Sequence, residues 1–166
     1  MADDDLVTLV SQDGQEFKIE VKVAKMSETI RQLMLDAGTK DPIPIPNIDG
    51  ATLAKVLEYC KYHTEHPDLP DDTEEKSSKI DLSKRREIKN PWDREFCKLD
   101  VPTIENLIIA ANYLDIKGLL EVSCKTIATA LNGQTVEKMR EILGIKSDWT
   151  PEEEERIKKE NAWVED

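Results

Sequence analysis

The stretch PTIENLIIAANYLDIKGLLEVSCKTIATAL, Pro102 to Leu131, decides the reading of this 166-residue chain. At about 100° per residue its first helix is apolar on two opposite sides. Ile104, Leu107, Ile108, Ala111 and Leu114 form one stripe, while Ile109 and Tyr113 lie roughly opposite with Asn112 beside them. One stripe serves the chain's own core. The other has two readings that periodicity leaves open: a surface held for another protein, or the far side of a central helix buried all round. The next helix, Ile116 to Leu131, carries Ile116, Leu119, Leu120, Cys124, Ile127 and Leu131 on a stripe wide enough for two neighbours.

Working back towards the amino terminus, Leu6 to Val10 and Glu16 to Val21 alternate apolar and polar residues around Gln12-Asp13-Gly14-Gln15. Asp-Gly between alternating runs predicts a β-hairpin. From Lys22 to Ala37 the period becomes helical, with Val23, Met26, Ile30, Leu33 and Met34 on one side and Gly38 as the stop. Pro42-Ile43-Pro44-Ile45-Pro46 cannot be helical and lacks ladder donors, so it reads as an extended edge strand with both isoleucines on one side. A helix from about Ala51 to His63 follows, with Leu53, Val56, Leu57 and Cys60 on its apolar face. The order β-β-α-β-α is that of a small α+β unit.

Glu65 to Lys89 has only Leu69, Ile80, Leu82 and Ile88 to bury, too little to offset the entropy of ordering, and is expected to be a mobile loop. Pro91-Trp92 opens a short helical element and Pro102 opens the two-faced helix, proline being suited to a first turn. Beyond Asn132-Gly133, Thr135 to Leu143 makes a further short helix with Met139, Leu143 and Ile145 as its apolar content. Thr150 reads as an N-cap, Pro151 as the first helical residue and Glu153 as the reciprocal capping partner. Glu152 to Glu155 suit the positive helix end, and Glu154 with Lys158 and Glu155 with Lys159 form i,i+4 pairs. This last helix offers only Ile157, Ala162 and Trp163 for burial.

A formal net charge of -12 and an isoelectric point near 4.7 argue against a nucleic-acid partner, which needs clustered Lys and Arg. The one dense basic run, Lys84-Arg85-Arg86, lies in the polar segment and reads as solvated. The acidic start Met1-Ala2-Asp3-Asp4-Asp5 is unlike a signal peptide, and no apolar run approaches the roughly 20 residues that span a bilayer. Cys60, Cys97 and Cys124, an odd set at unrelated spacings, read as reduced thiols of a cytoplasmic or nuclear protein. Cys60, His63 and His66 make a C-x2-H-x2-H pattern, but steps of three drift around a helix and no fourth ligand is evident; the pattern reads as a core cysteine with two surface histidines. There is no P-loop or dinucleotide fingerprint, and Glu152 to Glu155 lack the spacing of a calcium loop. The expectation is a protein without cofactor, metal or catalysis, whose unspent apolar surface points to binding.

AANYLDIKGLL at Ala110 to Leu120, CKTIA at Cys124 to Ala128, PWDREFCKLD at Pro91 to Asp100 and DWTPEEEERIKKENAW at Asp148 to Trp163 resemble the Skp family, the small adaptors of SCF ubiquitin ligases. The resemblance runs in order along nearly the whole chain. It implies an α+β fold, a BTB/POZ-like domain with a helical carboxy-terminal extension. Residues 1–64 would form its first part, 65–90 the polar loop, 91–131 its helical remainder and 132–166 the F-box-binding extension. It implies two partners, a cullin scaffold and F-box substrate receptors, and places Asn112 and Tyr113 at the scaffold contact, beside Ile109 on the second apolar face. For the F-box it carries over Ile104, Leu120, Cys124, Ile127, Leu131, Met139, Leu143, Ile145 and Trp163. The family's usual Thr-Leu-Phe-Glu-Leu is Thr103-Ile104-Glu105-Asn106-Leu107 here, so an aromatic contact is replaced by Glu105, which bears on F-box preference.

In some unicellular eukaryotes the family carries prolyl hydroxylation and then glycosylation at the proline of this Thr-Pro-Glu-Glu segment. Pro151 is thereby a candidate for modification, with a hydroxylase and glycosyltransferases as partners, although a plain first-turn proline also accounts for it. Two rival readings remain: an elongin-C-like transcription-complex subunit, though elongin C lacks the extension beyond Leu131, and a self-associating BTB/POZ scaffold with exposed residues of Pro42 to Pro46 as its dimer face. Weak homodimerisation of the free chain belongs with the latter.

Overall fold

The computed structural model describes residues 6–67 and 87–164 and divides into two compact units, Met1–Thr129 and Ala130–Asp166. Of the expected polar loop, Leu69, Ile80, Leu82 and Lys84-Arg85-Arg86 lie outside the described residues.

In the first unit the Asp-Gly hairpin forms as its turn chemistry requires. β1 (Leu6–Ser11) and β2 (Glu16–Glu20) pair antiparallel with Leu9 opposite Phe17, and Gly14 takes the left-handed φ of 79° that the reversal needs. Asp13 does more than turn the chain. Its Oδ1 accepts from the Ser11 hydroxyl at 2.5 Å and from the Gly50 amide at 2.8 Å, so the carboxylate ties the hairpin to the start of the helix Gly50–Glu65. These donors hold the Asp13 carboxyl below its usual range, the Ser11 bond contributing most. β3 (Ile43–Ile45) joins β1 in parallel, giving the order β2-β1-β3 with β3 on an edge, where its proline costs no ladder bond. Ile43 and Ile45 are both core residues and the prolines point outward. Of the Ile and Pro residues expected to form a dimer face at Pro42 to Pro46, the isoleucines are buried and the prolines alone are exposed.

The single helix expected from Lys22 to Ala37 is two, α1 (Val21–Ala24) and α2 (Glu28–Ala37). Ser27 makes the break: its Oγ accepts from the Ile30 amide at 3.1 Å as the N-cap of α2 and donates to the Leu114 carbonyl at 2.5 Å. Met26, expected in the core, falls at this interruption and is partly exposed.

α3 (Gly50–Glu65) buries Leu53, Val56, Leu57, Tyr59, Cys60 and His63. Burial pushes the Cys60 thiol up to about 12, which keeps it an inert core residue. His63 corrects the expectation of two surface histidines. Its Nε2 lies 2.7 Å from Asp93 Oδ1, and both side chains are buried. Asp93 is carried there by α4 (Pro91–Phe96), whose Trp92 stacks on Tyr62 at 4.0 Å between ring centres. Asn90 caps α4 by accepting from the Trp92 amide. His66, by contrast, is exposed.

α5 (Val101–Tyr113) and α6 (Lys117–Leu131) complete the first core. Ile104, Leu107, Ala111 and Leu114 are buried almost completely and Ile108 packs against them, as the first apolar stripe requires. Ile116, just before α6, and Leu119 on it are buried, while Leu120 and Ile127 pack partly against the core. Ser123, which hydropathy placed on no apolar stripe, is wholly buried, and its hydroxyl has no hydrogen-bond partner among the described residues.

In the second unit α7 (Val136–Ile142) is capped by Thr135, and α8 (Pro151–Glu160) has the full expected capping box between Thr150 and Glu153. The expected pair Glu155 with Lys159 forms at 3.0 Å. Glu154 and Lys158 instead reach from α8 to α7: Arg140 Nη1 donates to Glu154 Oε1 at 2.8 Å and Lys158 Nζ to Glu137 Oε1 at 2.7 Å. With little apolar surface to share, these two helices are joined largely by charge.

Two outcomes follow from the packing. Ser123→Ala removes an orphaned buried hydroxyl and improves helix propensity, and should raise stability by about 1 kcal/mol, read as a higher urea midpoint; a lower midpoint would mean that the hydroxyl is bonded. The second concerns acid. Lys158 lowers the Glu137 carboxyl from an ordinary 4.5 to about 2, Ser147 and Arg140 lower that of Glu154, and Thr150 lowers that of Glu153. Folded values below unfolded ones mean that these contributions are complete above about 4.5 and vanish as pH falls towards 2. Carboxyl carbon NMR should show Glu137 titrating near the bottom of that window while the helix Pro151–Glu160 loosens within it; a midpoint at the ordinary value would remove the Lys158 contact from the account.

Candidate functional site

The second apolar face of α5 is open. Ile109 is 62% exposed, Asn112 is exposed and Tyr113 is half-buried, its ring packed against the core edge. The opposite stripe of the same helix is core, with Ile108 half-buried at its margin, so the all-round-buried reading of the helix fails. An exposed isoleucine beside an amide and a phenol is suited to a protein partner, since burying it removes apolar area while the polar atoms satisfy donors and acceptors.

The geometry of this face is set where α5 ends. Ala111 accepts from the Ile116 amide at 2.9 Å and Asn112 from the Asp115 amide at 3.2 Å, the paired bonds of a Schellman ending, with Asp115 in the left-handed region at φ 51°. The next carbonyls are met from α2. The Thr29 hydroxyl donates to the Tyr113 carbonyl at 2.9 Å, and the Ser27 hydroxyl donates to that of Leu114. Every orphaned carbonyl of the last turn thus has a donor.

The residues carried over for the F-box divide into distinct environments. In the first unit Ile104 is only 1% exposed and belongs to the core, so its side chain offers no surface to a partner; the helical period that marked it as apolar could not tell core from interface. Leu120 and Ile127 are half-buried, and Cys124 is exposed as a free thiol. Within the second unit Leu131, Met139 and Leu143 are half-buried, while Ile145 is mostly exposed and Trp163 is 75% exposed. Val136 and Trp149 are also exposed there, and the sequence reading missed both. Val136 could have been found from helical period, since it shares a face with Met139 and Leu143, and Trp149 from its place just before the cap Thr150. Pro151 is exposed at the first position of α8.

His63 is engaged with Asp93 in the core, and among the described residues no three His, Cys, Asp or Glu side chains are grouped to hold a metal ion. No described helix is long and apolar enough to cross a membrane.

Comparison with known proteins agrees with this architecture. The family model described as "Skp1 family, tetramerisation domain" matches residues 5–65, and that described as "Skp1 family, dimerisation domain" matches residues 117–164. Two curated proteins of Dictyostelium discoideum, "SCF ubiquitin ligase complex protein SKP1a" and "SKP1b", are each 49% identical over 162 residues, 97% of this chain and 96% of theirs. "SKP1-like protein 4" of Arabidopsis thaliana is 45% identical over 160 residues, 96% of this chain and 95% of its own. With both family segments in order and near-complete coverage on either side of each alignment, the chain belongs to the Skp1 family, and its BTB/POZ-like α+β domain with a helical extension is that family's fold.

Proposed function

We propose that this chain is the adaptor of an SCF-type ubiquitin ligase, linking F-box substrate receptors to a cullin scaffold. The observation that carries the reading is the open face of α5: Ile109, Asn112 and Tyr113 stand out from a helix whose other side is core. Relatives named as SCF complex proteins, 49% identical across 97% of this chain, support the same role here and leave the elongin-C-like and self-associating readings unfavoured.

The mechanism is proximity. Holding a receptor and a scaffold on one small protein turns transfer to the substrate into an effectively intramolecular encounter, and the adaptor itself moves no proton or electron. The cullin takes Ile109, Asn112 and Tyr113. The F-box takes Leu120, Cys124 and Ile127 in the first unit and Leu131, Met139, Leu143, Ile145 and Trp163 in the second, with Ile104 beneath the surface as support. Three free cysteines suit a reducing cytoplasm and nucleus as its place of work. Pro151, exposed beside the capping box of α8, is the proposed site of hydroxylation and sugar attachment.

Reciprocal substitutions test the two surfaces. Asn112→Lys with Tyr113→Lys should abolish capture of a cullin amino-terminal domain and leave F-box binding and the circular-dichroism spectrum intact, because two charges cannot be desolvated there. Trp163→Ala should do the reverse, weakening F-box binding by roughly 1–3 kcal/mol without touching the cullin. Wild-type cullin capture by the double lysine variant would sink the scaffold assignment. For Pro151, peptide mass spectrometry of protein from the native cell should find a hydroxyl, with or without sugars, on the segment Asp148 to Arg156; only unmodified peptide across several growth conditions would refute it.

A further inference from the structure

The corner after α5 accounts for its carbonyls one by one, and the last two are the informative ones. Ala111 and Asn112 are satisfied by amides of the corner itself, through Ile116 and Asp115. Tyr113 and Leu114 have no such local donor in the Schellman pattern. Their carbonyls are met by hydroxyls 84 and 87 residues away in sequence, Thr29 Oγ1 at 2.9 Å and Ser27 Oγ at 2.5 Å, with the Thr29 amide a further 3.4 Å contact to Leu114. The first turn of α2 therefore grips the last turn of α5, the turn that carries Asn112 and Tyr113.

Ser27 is occupied twice over, since it also caps α2, so its loss would damage the fold generally. Thr29 differs: its hydroxyl has the Tyr113 carbonyl as its acceptor and plays no part in the α2 cap. A carbonyl left without a donor in a terminal turn invites water and fraying, and a side chain on a frayed turn changes direction.

We infer that Thr29 is a positioning residue for the scaffold-binding face, its hydroxyl holding the Tyr113 peptide and thereby the direction in which the Tyr113 ring is presented to the cullin. The inference rests on the cullin reading of Ile109, Asn112 and Tyr113. It explains why two elements distant in sequence are joined at this corner by hydroxyls as well as by the shared core. Thr29 reaches the partner only through Tyr113, so its effect should disappear when that ring is absent.

The test is a double-mutant cycle with the full chain and a purified cullin amino-terminal domain. Thr29→Val keeps the shape and removes the hydroxyl, and should weaken cullin binding about three- to tenfold, the scale of one net hydrogen bond, while F-box peptide binding stays within twofold of wild type. Thr29→Ser should restore cullin affinity. In a Tyr113→Ala background Thr29→Val should cost nothing further, because the group it positions is gone. Equal losses of cullin binding with and without the Tyr113 ring, or equal weakening towards both partners, would overturn the positioning role. If Thr29→Val melts far below wild type, Thr29→Ala is read in the same cycle by the same criteria. Wild-type cullin affinity in Tyr113→Ala alone would refute the scaffold reading itself, whereas a loss there with unimpaired Thr29→Val would refute only the present inference.

Discussion

The burial of one stripe of α5 is the constraint on which the first unit depends. Ile104, Leu107, Ala111 and Leu114 are withdrawn from water almost completely, and each large aliphatic side chain so buried contributes roughly 1.5–3 kcal/mol relative to exposure. The helix is thereby locked in rotation. Because side chains on a helix cannot turn independently of its axis, fixing that stripe forces Ile109 and Asn112 outward and leaves the isoleucine in solvent. The open face is a geometric consequence of the core.

Around this helix the polar contacts act as fasteners between segments remote in sequence. Asp13 binds the hairpin to α3, His63 binds α3 to α4, and Ser27 with Thr29 binds α2 to the end of α5. Each gives a polar group a partner from a remote segment, and losing such a partner on burial costs more than the bond itself contributes. Side chains chosen for such roles cannot be read from hydropathy, since Ser, Thr, Asp and His are equally at home in water.

The second unit is built on other physics. Its helices share few apolar residues and rely on caps and on ion pairs between exposed or half-buried side chains, which are individually weak and screened by salt. Such a unit retains apolar side chains for outside use: Ile145, Trp149 and Trp163 remain in solvent. On the proposed F-box reading, these side chains are what a receptor would cover, and little of the unit's own stability is committed to their packing.

The amino-acid sequence by itself determined the elements whose causes are local: the Asp-Gly hairpin, the proline edge strand, the capping box at Thr150 and Glu153, and both faces of α5 through helical period. It also carried the family, through the resemblance of AANYLDIKGLL, CKTIA, PWDREFCKLD and DWTPEEEERIKKENAW to the Skp family, in order along nearly the whole chain. Only the tertiary structure decided matters that depend on what comes from elsewhere in the chain. It divided the helix expected from Lys22 to Ala37 at Ser27, since that hydroxyl is claimed by Leu114. It buried His63 against Asp93, put Ile104 in the core rather than at a partner surface, and led Lys158 to Glu137 on a neighbouring helix. Period and propensity record how a residue relates to its own turn of chain; a hydrogen bond or a buried contact between distant segments exists only once the core has brought them together.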